Sequence, residues 1–204
     1  MPENDDKQGP YARWGKRALD LVGAGLGLLL LSPLLLGTAL AVRLALGRPV
    51  LFRQERAGRG GVPFTLLKFR SMREGLGEDA ARLTPFGRRL RATALDELPQ
   101  LVNVLRGEMS LVGPRPLPAT YTAHYTPRQR QRLRVHPGLA GVAQAAGRNA
   151  LPWAERLELD ARYAARVTLC ADLRAMGGTL AVLLRGKGVH APGHATMPRF
   201  DATQ

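Results

Sequence analysis

LVGAGLGLLLLSPLLLGTALAV, residues 21–42, carries no charge over 22 residues and decides how the rest of the chain must be arranged. As a straight helix it would rise roughly 33 Å, enough to cross a hydrocarbon layer of about 30 Å. Ala39-Leu40-Ala41 faintly resembles a signal-peptidase site, but the run outlasts a secretory h-region, and Glu3, Asp5 and Asp6 open the chain with acid. A buried soluble helix is disfavoured because no other segment is apolar enough to wrap it. At the centre sits Ser32-Pro33. Pro33 cannot donate to the carbonyl of Leu29 and its ring clashes there, so the helix should bend. The Ser32 hydroxyl is placed to satisfy a freed carbonyl. Arg13, Lys16 and Arg17 precede the run, and Arg43, Arg48, Arg53 and Arg56 follow it, which favours the cytoplasm for both ends. The residues alone leave a kinked span and a re-entrant helix equally open.

Outward from this run, residues 1–12 read as a polar tail and 13–48 as a membrane-associated element. Residues 49–187 read as one globular unit, and 188–204 as a flexible tail. PVLFR and VPFTLLKFR are β-rich and separated by turn chemistry ending in AGRGG, so they predict a hairpin. Gly58, Gly60 and Gly61 offer a phosphate cradle as the alternative, without matching a P-loop. Leu98, Leu101, Val102 and Leu105 recur at helical spacing, and Leu157, Leu159 and Tyr163 do so more loosely. Ala171–Arg185 has an apolar face of Leu173, Met176, Leu180 and Leu184, which predicts a core helix first and a membrane-surface helix second. The fold class expected is α+β and mainly helical.

The chain has 204 residues and a formal charge of +14, with 26 of its 30 cations arginine. Arginine's planar fork suits phosphate and carboxylate, so anionic partners are expected. Aromatic residues make up 5% of the chain, leaving few base-stacking platforms, and nucleic acid gives the apolar run no role. A nucleic-acid partner is therefore not expected. One cysteine, Cys170, and four scattered histidines argue against a disulfide scaffold and a zinc site.

Carboxylates are scarce where the arginines crowd. Between Arg82 and Arg148 stand 11 arginines, counting both ends, and three acids: Asp96, Glu97 and Glu108. Helix-start charge is the plain explanation for the adjacent pair. Asp96 as N-cap would put Pro99 in the first turn of the Leu98–Leu105 helix, while Thr93 as N-cap would place a proline kink one turn later. Either way both acids can serve one site near a helix N-terminus, where phosphate is welcome. An ordinary aspartate is ionised at pH 7 and needs no base to act as a nucleophile. A second carboxylate can hold Mg²⁺, and arginines can neutralise a transferring phosphoryl group. The residues are also compatible with a membrane-anchored assembly module that performs no chemistry.

TALDELPQLVNVLRGEMSLVGPRPLP, residues 93–118, resembles the signature of the bacterial sugar transferases, the monotopic phosphoglycosyl transferases. Lys16-Arg17 with Asp20, Ser32-Pro33, residues 49–73, LTPFGRRLR at 83–91 and HPGLAGVAQAAGRN at 136–149 carry the likeness across nearly the whole chain. With one membrane segment the sequence is similar to the small members. The resemblance implies transfer of a sugar-1-phosphate from a nucleotide sugar, usually a UDP-sugar, to a polyprenyl phosphate, with release of UMP. It implies Asp96 as nucleophile, Glu97 as Mg²⁺ ligand, and Arg91 and Arg115 near the phosphates. Lys68 and Arg70 are implied anion contacts, and His136, Arg148 and Asn149 are candidates for the nucleotide-sugar end. It further implies a helix broken at Ser32-Pro33 that returns to the cytoplasmic face of the bacterial inner membrane, amphipathic interface helices, and downstream glycosyltransferases as partners. Ala140, Ala145 and Ala146 depart from the larger or polar residues common at those positions.

Overall fold

The computed structural model describes residues 9–75, 79–147, 150–185 and Phe200. A π-helical turn, Tyr11–Gly15, leads into α1 (Lys16–Leu30), and α2 (Ser32–Leu46) follows after one residue. The two helices meet at 63°. The Ser32 hydroxyl donates to the Leu29 carbonyl at 2.8 Å, which satisfies the acceptor that Pro33 cannot serve. No single described helix is long and apolar enough to cross a membrane, although the bent pair passes that test together.

The hairpin follows as β1 (Leu51–Ala57) and β2 (Pro63–Phe69), paired antiparallel from Leu51↔Phe69 to Ala57↔Pro63. Its turn spends its own amides: Gly58 N–H bonds the Val62 carbonyl and Gly61 N–H bonds that of Gly58. Two of the three amides that a phosphate cradle at these glycines would use are thereby already bonded. Next come α3 (Asp79–Arg82), α4 (Pro85–Ala92), α5 (Gln100–Arg106), β3 (Ser110–Val112), β4 (Gly138–Ala140), α6 (Val142–Ala146), α7 (Trp153–Ala165) and α8 (Leu169–Leu184). β3 and β4 pair in parallel.

The first helix is keyed into the rest of the molecule by its polar residues. Arg17 donates to the carbonyls of Val104 and Leu105 at 2.7 and 3.1 Å, closing the C-terminal end of α5. Buried Asp20 accepts from the Ser110 hydroxyl at 3.0 Å and from Leu111 N–H at 2.8 Å. Lys16 reaches buried Asp172 at 2.6 Å. Gly23 and Gly27, one turn apart, let the helix lie close: a Cβ at Gly23 would fall 2.6 Å from Leu111 Cδ1. The opposite face of α1 and much of α2 are apolar and uncovered, with Leu29, Leu30, Leu36 and Leu44 all exposed.

Two expectations are corrected here. The helix read from Leu98 starts at Gln100, and neither Asp96 nor Thr93 caps it. Pro99 takes the N-cap position without a side-chain bond, while the Thr93 hydroxyl turns back to the Arg89 and Leu90 carbonyls. The second concerns α8, whose leucine face is not core. Leu173, Met176, Leu180 and Leu184 are 44–80% exposed, and the buried residues are Asp172 and Ala175. Small residues set that packing, since a Cβ at Gly178 would lie 2.7 Å from the Cβ of Ala145. Ala145 is small because α8 crosses there. The tail expected at 188–204 lies outside the described residues except for Phe200, which packs with Tyr121, Tyr125 and Trp153.

Candidate active site

Ala94 places the acids. It adopts φ 55°, ψ 16°, a left-handed conformation uncommon for a residue with a Cβ. That reversal ends α4 and starts a 3₁₀ turn over Leu95–Glu97, closed by Glu97 N–H to the Ala94 carbonyl at 3.0 Å. Asp96 is thereby turned inward and is 3% exposed. Strain of this kind is held by its surroundings and concentrates at working sites.

Asp96 is a carboxyl group held at the edge of ionisation. Burial, and next the Glu97 carboxylate, push its pKa up to about 6, against the pull of Lys68, Arg91 and Arg115. Burial likewise pushes Lys68 down, although Asp96 favours its charge. Its ammonium lies 5.3 Å from the centre of the Phe52 ring. Arg91 is aimed by buried Ser71, whose hydroxyl accepts from Nε at 2.8 Å. Arg115 grips Glu97 with two bonds, Nη2 to Oε1 at 2.6 Å and Nη1 to Oε2 at 3.3 Å. One buried carboxylate thus has a second carboxylate and three cations in its field.

Arg115 owes its position to a loop with few amides of its own. Pro114, Pro116 and Pro118 have no N–H, yet all five carbonyls from Pro114 to Pro118 are bonded. Gly138 N–H serves Pro114, Ala57 N–H serves Leu117, and Tyr121 N–H serves Pro118. The Arg132 guanidinium donates to the Arg115 carbonyl at 2.6 Å, and Arg56 donates to the Pro116 carbonyl at 3.3 Å. Arg132 is itself held by Asp160 at 2.8 Å with both side chains buried. The sequence reading missed Ser71, Arg56, Arg132 and Asp160. The alternation of proline through residues 114–118 was the one local signal that outside donors would be needed.

Of the expected site residues, the structure brings together Asp96, Glu97, Lys68, Arg91 and Arg115. Arg70 is turned elsewhere: its guanidinium donates to the Leu46 carbonyl and pairs with Glu74 at 3.2 Å. His136 sits among Arg17, Asp20 and Arg59, where burial first and those arginines second push its pKa down. Arg148 and Asn149 lie outside the described residues. Among the described residues no group of three or more His, Cys, Asp or Glu is placed to hold a metal. Mg²⁺ is commonly held by one or two carboxylates plus substrate phosphates and water, and Glu97 is the acid here whose chemistry suits that role. Glu97 keeps 14% of its side chain exposed, with both carboxylate oxygens bonded to Arg115.

A groove of about 780 Å³ lies at the open end of the hairpin, away from its turn. Lys68 and Arg91 line it, so two of the three cations that act on Asp96 also face this space.

Residues 11–186 match the family model for bacterial sugar transferases. An uncharacterized sugar transferase of Bacillus subtilis, EpsL, is 44% identical over 194 residues, covering 92% of this chain and 96% of that protein. The UDP-glucose:undecaprenyl-phosphate glucose-1-phosphate transferase of Caulobacter vibrioides is 45% identical over 186 residues, covering 83% of this chain and 69% of that protein. A UDP-N-acetylgalactosamine-undecaprenyl-phosphate N-acetylgalactosaminephosphotransferase of Aeromonas hydrophila is 35% identical, with 88% of this chain matched to 46% of that protein.

Proposed function

The chain belongs to the bacterial sugar transferase family, and from that premise we propose that it moves a sugar-1-phosphate from a UDP-sugar to undecaprenyl phosphate in two steps through Asp96. In the first, an Asp96 oxygen forms a bond to the sugar-bearing phosphorus. The bond from that phosphorus to the bridging oxygen breaks, and UMP leaves with the electron pair. In the second, an oxygen of the lipid phosphate attacks the same phosphorus and the Asp96 carboxylate is regenerated. The lipid-linked sugar diphosphate that results is a substrate for later glycosyl transfer.

The single observation that carries this reading is Asp96 itself, buried, joined to Glu97 and ringed by Lys68, Arg91 and Arg115. Burial strips water from the nucleophile, and the three cations favour its charged form and receive the charge of the phosphoryl group. Mg²⁺ at Glu97 would supply further neutralisation of the diphosphate. Arg115, fixed through its backbone carbonyl, presents a rigid fork to a phosphate oxygen.

Donor alone should release about one equivalent of UMP per enzyme and leave the sugar phosphate on the protein. Intact-protein mass spectrometry in Mg²⁺, followed by peptide mapping, should locate that adduct on Asp96. Asp96→Asn should lose both the adduct and nearly all turnover. A fully active Asp96→Asn would end the assignment.

The bent α1–α2 pair supports a re-entrant anchor in one leaflet of the inner membrane, with the catalytic residues on the cytoplasmic face. The exposed leucines of the pair, together with the α8 face of Leu173, Met176, Leu180 and Leu184, would meet lipid. Cys170 is the one native thiol and is exposed, so a Cys170→Ser background permits labelling. Ala12→Cys and Val50→Cys should both be shielded from an impermeant maleimide in intact cells, and opposite accessibility would mean a span.

A further inference from the structure

We propose that the groove at the open end of the hairpin is the seat of the lipid acceptor, taking the phosphate monoester of an isoprenoid chain. The inference rests on the two-substrate reading above and assigns one of the substrates to a place.

The groove begins where the chain leaves α2. Arg70, in its wall, donates to the Leu46 carbonyl at the end of that helix. Pro49, Val50, Phe52 and Met72 supply an apolar lining. Val50 and Leu51 pack into the same cluster as Leu46, Val42 and Phe69, so the apolar lining adjoins the packed face of α2. Farther along α2, Leu40 and Leu44 stand 59% and 78% exposed. An isoprenoid chain lying in the lipid beside α2 can place its first units on the apolar lining of the groove.

Charge increases along the same path. Arg53 and Arg73 are exposed at the groove, and Arg82 lines it beside them. Lys68 and Arg91 are more covered and act directly on Asp96. Glu74, the acid in this lining, is already paired with Arg70 at 3.2 Å. A phosphate monoester is therefore drawn toward the nucleophile while its tail remains on the apolar strip. At about 780 Å³ the space lies within the range that encloses an organic ligand, far beyond what a bare phosphate fills.

Arg115 stands on the other side of Asp96 from most of the lining. It shares its electrostatic field with Glu97, Asp96, Arg56 and Arg156, and with Lys68 of the groove, but does not itself line the groove. The nucleotide donor is thus left the Arg115 side, with Asp96 between the two substrates.

The test uses the full-length protein carrying Asp96→Asn, which holds ligands without turnover, in detergent micelles. Farnesyl phosphate, inorganic phosphate and UMP are titrated calorimetrically, with and without Arg53→Gln or Val50→Asp. Each added substitution should weaken farnesyl phosphate at least tenfold and shift UMP less than twofold. Inorganic phosphate should bind at least tenfold more weakly than farnesyl phosphate. Equal loss of UMP would assign the groove to the donor and overturn the proposal. So would farnesyl phosphate binding that neither substitution changes, or inorganic phosphate binding as tightly as the lipid. Thermal unfolding of each variant checks that it is folded, with Arg53→Lys as the milder change if Arg53→Gln is not. Binding is read without chemistry, so a missing Asp96 adduct would sink the covalent step and leave this assignment to stand or fall on its own result.

Discussion

Two arginine–carboxylate pairs lie in series behind Asp96, alike in chemistry and opposite in setting. Arg115 and Glu97 meet at 2.6 Å with 35% and 14% of their side chains exposed. Arg132 and Asp160 meet at 2.8 Å with 2% of each exposed. The accessible pair can exchange partners, as the proposed reaction requires of Arg115. The enclosed pair cannot. Burial pushes the Asp160 carboxyl up against the pull of Arg132, which shows how much of the attraction desolvation consumes. Its return is geometric, because the same Arg132 Nη2 holds the Arg115 carbonyl at 2.6 Å. Under the proposed reaction, one pair serves the chemistry and the other holds it in place.

Breaking the enclosed pair on one side should produce the largest effect. Asp160→Ala strands a buried guanidinium and should cost about 3–5 kcal/mol, a large part of the stability of an ordinary domain. Thermal unfolding in detergent measures it. Replacing both partners, Arg132→Met with Asp160→Leu, should restore most of the melting temperature but little turnover, because the Arg115 carbonyl has lost its donor. Recovery of both together would mean that Arg132 does not position Arg115.

The accessible pair should show the reverse balance. Arg115→Ala should lower turnover by about 10²–10³, the scale of one lost transition-state donor. Stability should change by no more than about 1 kcal/mol, as for other partly exposed pairs. A large fall in melting temperature with little loss of turnover would erase the distinction between the two pairs.

The smallest effect concerns Asp96 and pH. Its folded pKa, about 6, stands above the ordinary 3.8. The native state therefore binds more protons than the unfolded state between those values, and this group's contribution to stability is lost as pH rises through about 6. In metal-free protein, Asp96→Asn should gain melting temperature over the unsubstituted chain as pH rises from 4 to 7, then hold that gain. A difference that does not change with pH would mean that Asp96 is not held near neutrality.

What the sequence revealed depended on how local the cause was. The hairpin was legible because its β-rich runs and glycine turn are contiguous. The break at Ser32-Pro33 was legible because a proline acts on the carbonyl one turn before it. Asp96 and Glu97 stood out against the arginines around them. Their 3₁₀ turn was not legible, since it follows from a left-handed alanine that no turn residue announces. At three residues each, β3 and β4 are too short to show alternation. The leucine face of α8 had the period of a core helix, and period alone does not say which side is covered. Arg70 looked like any other cation until its contact with the end of α2 was seen. Arg132 and Asp160 stand 28 residues apart, and nothing in either neighbourhood points to the other.

The loop that carries Arg115 also bears on how the enzyme comes into being. Its carbonyls are served by groups 17, 24 and 60 residues away: Arg132 and Gly138 downstream, Arg56 and Ala57 upstream. Closing such distances uses chain entropy that is recovered only when all the donors have arrived. A nascent chain acquires the apolar hairpin of helices first and Asp96 midway, but Arg115 cannot settle until residue 138 has emerged and docked. Synthesis thus places the apolar helix pair before the acid site, and a chain interrupted between the two carries Asp96 without Arg115 settled beside it.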